Sequence, residues 1–142
     1  MKNLKIITVL FMGIFLIGAI EISFAQEVKR EGKNYAVLIS QPNHLKAALH
    51  TAETLFSTDD FKAEKFVIMA CGKAVQAFVK SGDFDKQVEK MKTHPIEYKV
   101  CGLSLVQMGL DEDEISDHAG IVPNGLTHMF LLKKEGYETL EL

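Results

Sequence analysis

Cysteine and proline are scarce in this 142-residue chain, with two of the first and three of the second. Two cysteines, Cys71 and Cys101, are too few for the disulfide scaffold that holds small secreted domains together. Three prolines beside ten glycines, in a chain that is 47% hydrophobic, exclude a disordered or fibrous protein and leave an ordinary globular domain. Excess positive charge is also lacking. The net charge is −3 with both signs interspersed, which argues against a nucleic acid partner. After residue 20 no apolar run is long enough to cross a membrane. Nor is there a phosphate loop, a G-x-G-x-x-G turn or a G-x-S-x-G elbow.

What is present begins with an address. Lys2 and Lys5 precede an apolar run, Ile6 to Ile20, and Ser23-Phe24-Ala25 supplies small residues where a signal peptidase reads. Residues 1–25 are expected to be a secretory signal peptide cleaved after Ala25. No cysteine lies near that point, so a lipoprotein anchor is not expected. Cleavage would leave a domain of residues 26–142 with one core, most plainly in the periplasm and without stable membrane insertion. The leader carries Lys2, Lys5 and Glu21, so the remaining domain has a net charge of −4.

The domain alternates between two periods. Gln26 to Lys33 reads as a polar tether. Tyr35 to Ser40 and Phe66 to Ala70 are continuous apolar runs, the mark of strands buried on both faces of a parallel sheet. Ile96 to Val100 is a third strand, and Gly120 to Val122 a short fourth. Tyr137 to Leu142 is a more polar strand expected at an edge. Helical spacing appears between them. Leu45, Ala48, Leu49, Ala52, Leu55 and Phe56 form one stripe, with Asn43 placed to cap it. Lys73 to Lys80 reads as a short helix stopped at Ser81-Gly82. Phe84, Val88 and Met91 form another, with Asp83 as its cap, and Ser104 to Met108 a brief one. In the last helix Leu126, Met129 and Phe130 are expected to be buried. The order β-α-β-α-α-β-α-β-α-β predicts a three-layer α/β/α sandwich around a mostly parallel five-stranded sheet.

Strand–Cys–Gly–helix occurs twice, at Cys71-Gly72 and at Cys101-Gly102. Ligands gather at the carboxyl ends of parallel strands. If the two strands are neighbours, both thiols lie on that edge. A thiol facing the first amides of a helix has its thiolate favoured, here by the N–H groups of Gly102, Leu103 and Ser104, with Lys99 and Lys73 as further candidates. A buried small hydrophobe is the alternative reading of Cys101. His118 and His128 are available as bases for a nucleophilic thiol, whereas His44 and His50 lie off their helix stripe. No metal site is expected. Cys71, Cys101 and His118 or His44 match no zinc spacing, and Asp111 to Glu114 reads as helix-start chemistry. Met69, Met91, Met108 and Met129 sit at apolar positions and are expected in the core.

Tyr98-Lys99-Val100-Cys101-Gly102-Leu103-Ser104-Leu105, the acidic turn, and Val-Pro-Asn-Gly through Glu-Gly-Tyr together resemble the DsrE/DsrF-like family, which includes sulfur-relay proteins of the TusD type and small YchN-like proteins. The resemblance spans Asn34 to Leu142. It implies a five-stranded α/β/α sandwich assembled as a trimer or hexamer. It also implies a persulfide-carrying cysteine after the third strand, the position of Cys101, that exchanges sulfur with donor and acceptor thiols and needs no cofactor. It transfers no catalytic role to Cys71, which with Gly72 is placed beside the site. Two other functions stay open: a non-catalytic oligomer binding a small ligand or partner at the same edge, and a redox protein cycling Cys71 and Cys101 between dithiol and disulfide.

Overall fold

The computed structural model describes residues 33–80 and 82–142. The expected signal peptide, the tether up to Gly32 and Ser81 lie outside the described residues. Five strands form one sheet: β1 (Lys33–Ile39), β2 (Ala63–Ala70), β3 (Ile96–Cys101), β4 (Ala119–Val122) and β5 (Glu138–Glu141). Their order is β4-β3-β2-β1-β5, and every neighbouring pair is parallel. The four longest helical segments are α1 (His44–Ser57), α2 (Phe84–Met91), α3 (Gly102–Met108) and α4 (Gly125–Lys134), together with the 3-10 stretch Gly72–Phe78. The architecture is the three-layer parallel sandwich that the alternating periods predict.

The two faces of the sheet are covered unequally. Val37 and Ile39 of β1, Phe66, Ile68 and Ala70 of β2, and Tyr98 and Val100 of β3 alternate onto one face. They pack there with α1, α2, α3 and the 3-10 stretch. Phe84 anchors this side, with its ring 4.5 Å from that of Phe78 and edge-on to Tyr98 at 5.0 Å. Such aromatic contacts add to burial energies of about 1.5–3 kcal/mol per large side chain. The residues between, Ala36, Leu38, Val67, Met69 and Cys101, face the other way and meet Met129 and Leu132 of α4. The chain steps β1 to β4 in one direction and then returns across to β5. With right-handed crossovers, that reversal puts α4 on the opposite face from the other helices. Further out on that face the sheet carries an ion-pair row, Lys65 to Glu97 at 2.6 Å and Lys99 to Glu97 at 3.4 Å.

Four local expectations change. The segment after Cys71 is a 3-10 helix, not an α-helix. Val75 and Phe78, three residues apart and both fully buried, eclipse one another in that winding and point at the core together. Gly72 opens it at φ +54, a conformation that costs glycine little. Asn43 makes no side-chain cap to α1, and Asp83 binds Lys86 Nζ at 2.8 Å without capping α2. In α4, Leu126 and Phe130 are 58% and 73% exposed, and Leu132 is the buried residue. The sheet offers this helix a strip wide enough for Met129 and Leu132 only. The acidic turn is as expected: Asp111 and Glu114 form a reciprocal capping box. Met69 is fully buried, and Met91, Met108 and Met129 are half-buried against the core.

Candidate functional site

Register brings the two cysteines together. Ala70 of β2 pairs with Val100 of β3, and the next residue on each strand is a cysteine. Both remain extended, at φ −125, ψ 166 for Cys71 and φ −79, ψ 115 for Cys101, so the side chains share a face. They pack in one cluster with Leu38, Met69, Val122 and Met129. Both thiols are free, Cys101 being 4% exposed and Cys71 partly so.

Two helices start at Cys101. It occupies the N-cap position of α3, but its sulfur accepts no cap hydrogen bond from that helix, so the donors expected at Gly102, Leu103 and Ser104 do not hold it; Ser104 lies near enough to favour its thiolate. The second helix start is α4. Its first residue, Gly125, donates its N–H to Cys101 Sγ at 3.2 Å. Asn124 sets that helix start: its Oδ1 accepts from Leu126 N at 3.0 Å and Thr127 N at 3.3 Å, leaving the Gly125 amide to the sulfur. Only glycine fits here. A Cβ on residue 125 would lie 2.4 Å from Cys71 Sγ, 2.7 Å from Met69 Cε and 3.2 Å from Cys101 Cβ. Ser104 in turn is fixed by Gly72, whose N–H donates to Ser104 Oγ at 2.8 Å. The Cys71-Gly72 turn therefore positions the serine that serves Cys101.

The two thiols differ in acidity. Burial alone pushes the Cys101 thiol up. Polar groups around the sulfur, Ser104 foremost and then the Gly125 amide, with the Cys71 thiol beside it, outweigh that and hold the group below the ordinary cysteine value. Cys71 is pushed up to about 12, by burial first and then by negative charge on Cys101 and the hydrogen bond between them. Of the two thiols, Cys101 is the more acidic.

The remaining expected groups divide. Leu103 gives its N–H to Pro123 O at 3.3 Å, and its side chain is exposed. Gly102 lies against the carbonyls of Val122 and Pro123. Lys99 is paired with Glu97, and neither it nor Lys73 contributes to the Cys101 shift. No histidine among the described residues hydrogen-bonds to either thiol. His94 stacks on Phe56, His50 lies beside Glu53, and the amides of His118 and His128 bond to Ser116 Oγ and Asn124 O. The described residues hold no cluster of metal-ligating side chains. An apolar cavity of about 260 Å³, lined by Tyr35, Val37, Leu55, Leu140 and Leu142 among others, opens near β1 and β5 and includes neither cysteine. Sequence reading missed Gly125 and Asn124. The signal was Pro-Asn-Gly before a helical stripe, a capped helix start at another strand's carboxyl end.

A family model described as DsrE/DsrF-like family matches residues 33–142. None of the curated proteins matches the chain. Among solved structures, a protein of unknown function from Methanobacterium thermoautotrophicum is similar, with a TM-score of 0.69 at 14% identity over 78% of this chain and 99% of its own. At that identity the likeness speaks to the fold.

Proposed function

Because the chain belongs to the DsrE/DsrF-like family, we propose that it is a sulfur carrier that holds sulfane sulfur as a persulfide on Cys101. The family is associated with sulfur relay in general. The observation that carries the reading is the amide at the start of α4 aimed at the Cys101 sulfur, Gly125 N–H at 3.2 Å, on a thiol that ends β3 and stands at the start of α3. Donors aimed at a sulfur favour its anion, and a persulfide is an anion of the same kind one atom longer. Cys101 as thiolate attacks the sulfane sulfur of a donor. The donor's thiolate or sulfite-like group leaves, and the outer sulfur later passes to an acceptor thiol. Low exposure of Cys101 shields the persulfide and favours small donors or a narrow approach.

The test uses the Cys71→Ser protein, so that one thiol is read. After incubation with a sulfane-sulfur donor and trapping with an alkylator, intact mass should show one added sulfur, mapped to the Cys101 peptide. Absence of added sulfur overturns the reading.

Acidity gives an independent check. The Cys101 pKa is lowered, so the reactive thiolate persists as pH falls below the free-cysteine value of about 8.5. Alkylation rate against pH in Cys71→Ser should therefore reach half its maximum below that value. An inflection at or above it returns Cys101 to the role of buried filler.

The exposed apolar residues of α4 fit a carrier assembled from copies of this chain. Leu126, Phe130 and Leu131 are each more than half exposed on one short helix. Apolar surface of this kind marks an association site. Leu131 suits an interface, whereas Leu132 is buried against Ala36 and Val67 within the chain. Light scattering of the purified protein should give at least twice the protomer mass, and Phe130→Glu should lower it. A monomer at micromolar concentration would contradict the assembly.

In the expected export route the carrier would work in the periplasm. Fractionation of cells expressing the full chain, with the protein shortened by residues 1–25, is the corresponding measurement.

A further inference from the structure

The geometry points to Cys71 as a resolving thiol that discharges the Cys101 persulfide as hydrosulfide, leaving a Cys71–Cys101 disulfide. This rests on the persulfide reading above and adds a second activity to it: reduction of sulfane sulfur within one chain.

Position supports the step. The register ends at Ala70 with Val100, and Cys71 follows directly after β2 while Cys101 ends β3, so the two stand side by side at the carboxyl edge of adjacent parallel strands. Such neighbours are about 4.8 Å apart, inside the roughly 4.4–6.8 Å span between the α-carbons of a disulfide. Both side chains lie on the α4 face, and one point in space, the missing Cβ of Gly125, is in contact distance of Cys71 Sγ and Cys101 Cβ alike. The absent side chain is what lets the two sulfurs share that space. Cys71 and Cys101 pack in one cluster with Leu38, Met69, Val122 and Met129, close enough for each thiol to shift the other's acidity.

The chemistry balances without an outside oxidant. Cys101–S–S⁻ and Cys71–SH give Cys101–S–S–Cys71 and HS⁻. The bond between Cys101 Sγ and the outer sulfur breaks, and the bond between Cys71 Sγ and Cys101 Sγ forms. The outer sulfur is reduced by two electrons, which come from the two cysteine sulfurs. The Cys71 proton leaves on the hydrosulfide. Attack needs the Cys71 thiolate, so its raised pKa slows the step, and passing the proton to the departing sulfur is what lets the attack complete. An external dithiol reopens the disulfide and completes the cycle. Cys71 therefore has two parts in the site: it opens the turn whose next amide positions Ser104, and it closes on the loaded sulfur.

The reduced full chain is treated anaerobically with a small excess of a sulfane-sulfur donor, with no reductant present. The expected result for the unsubstituted protein is one hydrosulfide released per chain and a mass two hydrogens lighter than the dithiol, restored by a dithiol reductant. Cys71→Ser, with Cys71→Ala as a second variant should the first be poorly folded, should instead keep the added sulfur on Cys101 and release no hydrosulfide. If both the unsubstituted protein and the Cys71 variants retain the persulfide, the resolving role is wrong and the carrier reading stands. If no form takes up sulfur or releases hydrosulfide, the carrier reading itself has failed. A disulfide formed without hydrosulfide would also overturn the discharge step.

Discussion

Cys101→Ser should take up no sulfur at all, while Cys71→Ser loads Cys101 fully. The swap is nearly isosteric and keeps a hydrogen-bond acceptor for the Gly125 amide. The fold should therefore survive, with unchanged secondary structure and a denaturation midpoint close to the parent. What is lost is a polarisable nucleophile whose anion forms near neutral pH. A serine hydroxyl stays protonated there and forms no persulfide. Cys71 cannot take over, because burial, the first cause of its raised pKa, remains when the Cys101 sulfur is gone and keeps its thiolate scarcer at neutral pH than that of an ordinary cysteine. Intact mass after donor treatment, read for both variants side by side, decides the matter. Equal loading of the two would remove Cys101 from its assigned role.

Gly125→Ala should have the second-largest effect, and on two readouts at once. The new methyl group would sit 2.4 Å from Cys71 Sγ and 2.7 Å from Met69 Cε. Both are side-chain ends that can rotate, but Met69 is fully buried, so its movement must displace other core atoms. Cys101 Cβ, at 3.2 Å, is held by the strand. Overpacking of this kind costs about 1–3 kcal/mol. The gain from removing a glycine's freedom in the unfolded chain, about 0.4–1 kcal/mol, is smaller. Net destabilisation is therefore expected, seen as a lower denaturant midpoint at unchanged slope. The methyl group also pushes the start of α4 away from the sulfur, which weakens the Gly125 amide bond. Cys101 then loses one of the groups that lower its pKa, and the alkylation inflection moves to higher pH. A stability equal to the parent with an unmoved inflection would show that the cradle is loose.

The layers of this fold were legible because apolar runs and helical stripes have different periods. Tyr35 to Ser40 and Phe66 to Ala70 could hardly be anything but buried strands, and both are. The cysteine at the end of the third strand was legible for the same reason, since a strand that stops at Cys-Gly puts its thiol at a sheet edge. The rest depended on contacts between distant segments. Nothing near Cys101 in sequence announces Gly125, which reaches it from 24 residues away. The Leu103 amide was expected at the sulfur, but Pro123 of the neighbouring strand's end takes it. Leu126 and Phe130 were expected inside because apolarity alone cannot tell a core contact from a subunit contact. Lysines were expected to acidify the thiol, yet uncharged donors at short range do so.

The strand order also sets a sequence of events during folding. Strands β1 to β4 pair with their successors, so each pairing closes a short loop soon after its strand is made. The β1–β5 pairing sets Tyr35 against Glu138, with Lys33 Nζ donating to Glu138 Oε1 across 105 residues, and β5 is the last of these five strands to be made. Until it arrives, α4 docks only through Met129 and Leu132 on β1 and β2, without β5 beside it. In that interval Cys71 and Cys101 lie beside paired strands under a helix held less firmly than in the complete sheet. In an oxidising compartment, the nascent sheet would be open to premature disulfide closure for as long as its final strand is missing. Refolding in the presence of disulfide-bonded glutathione should therefore trap more oxidised pair than the same treatment of the native protein.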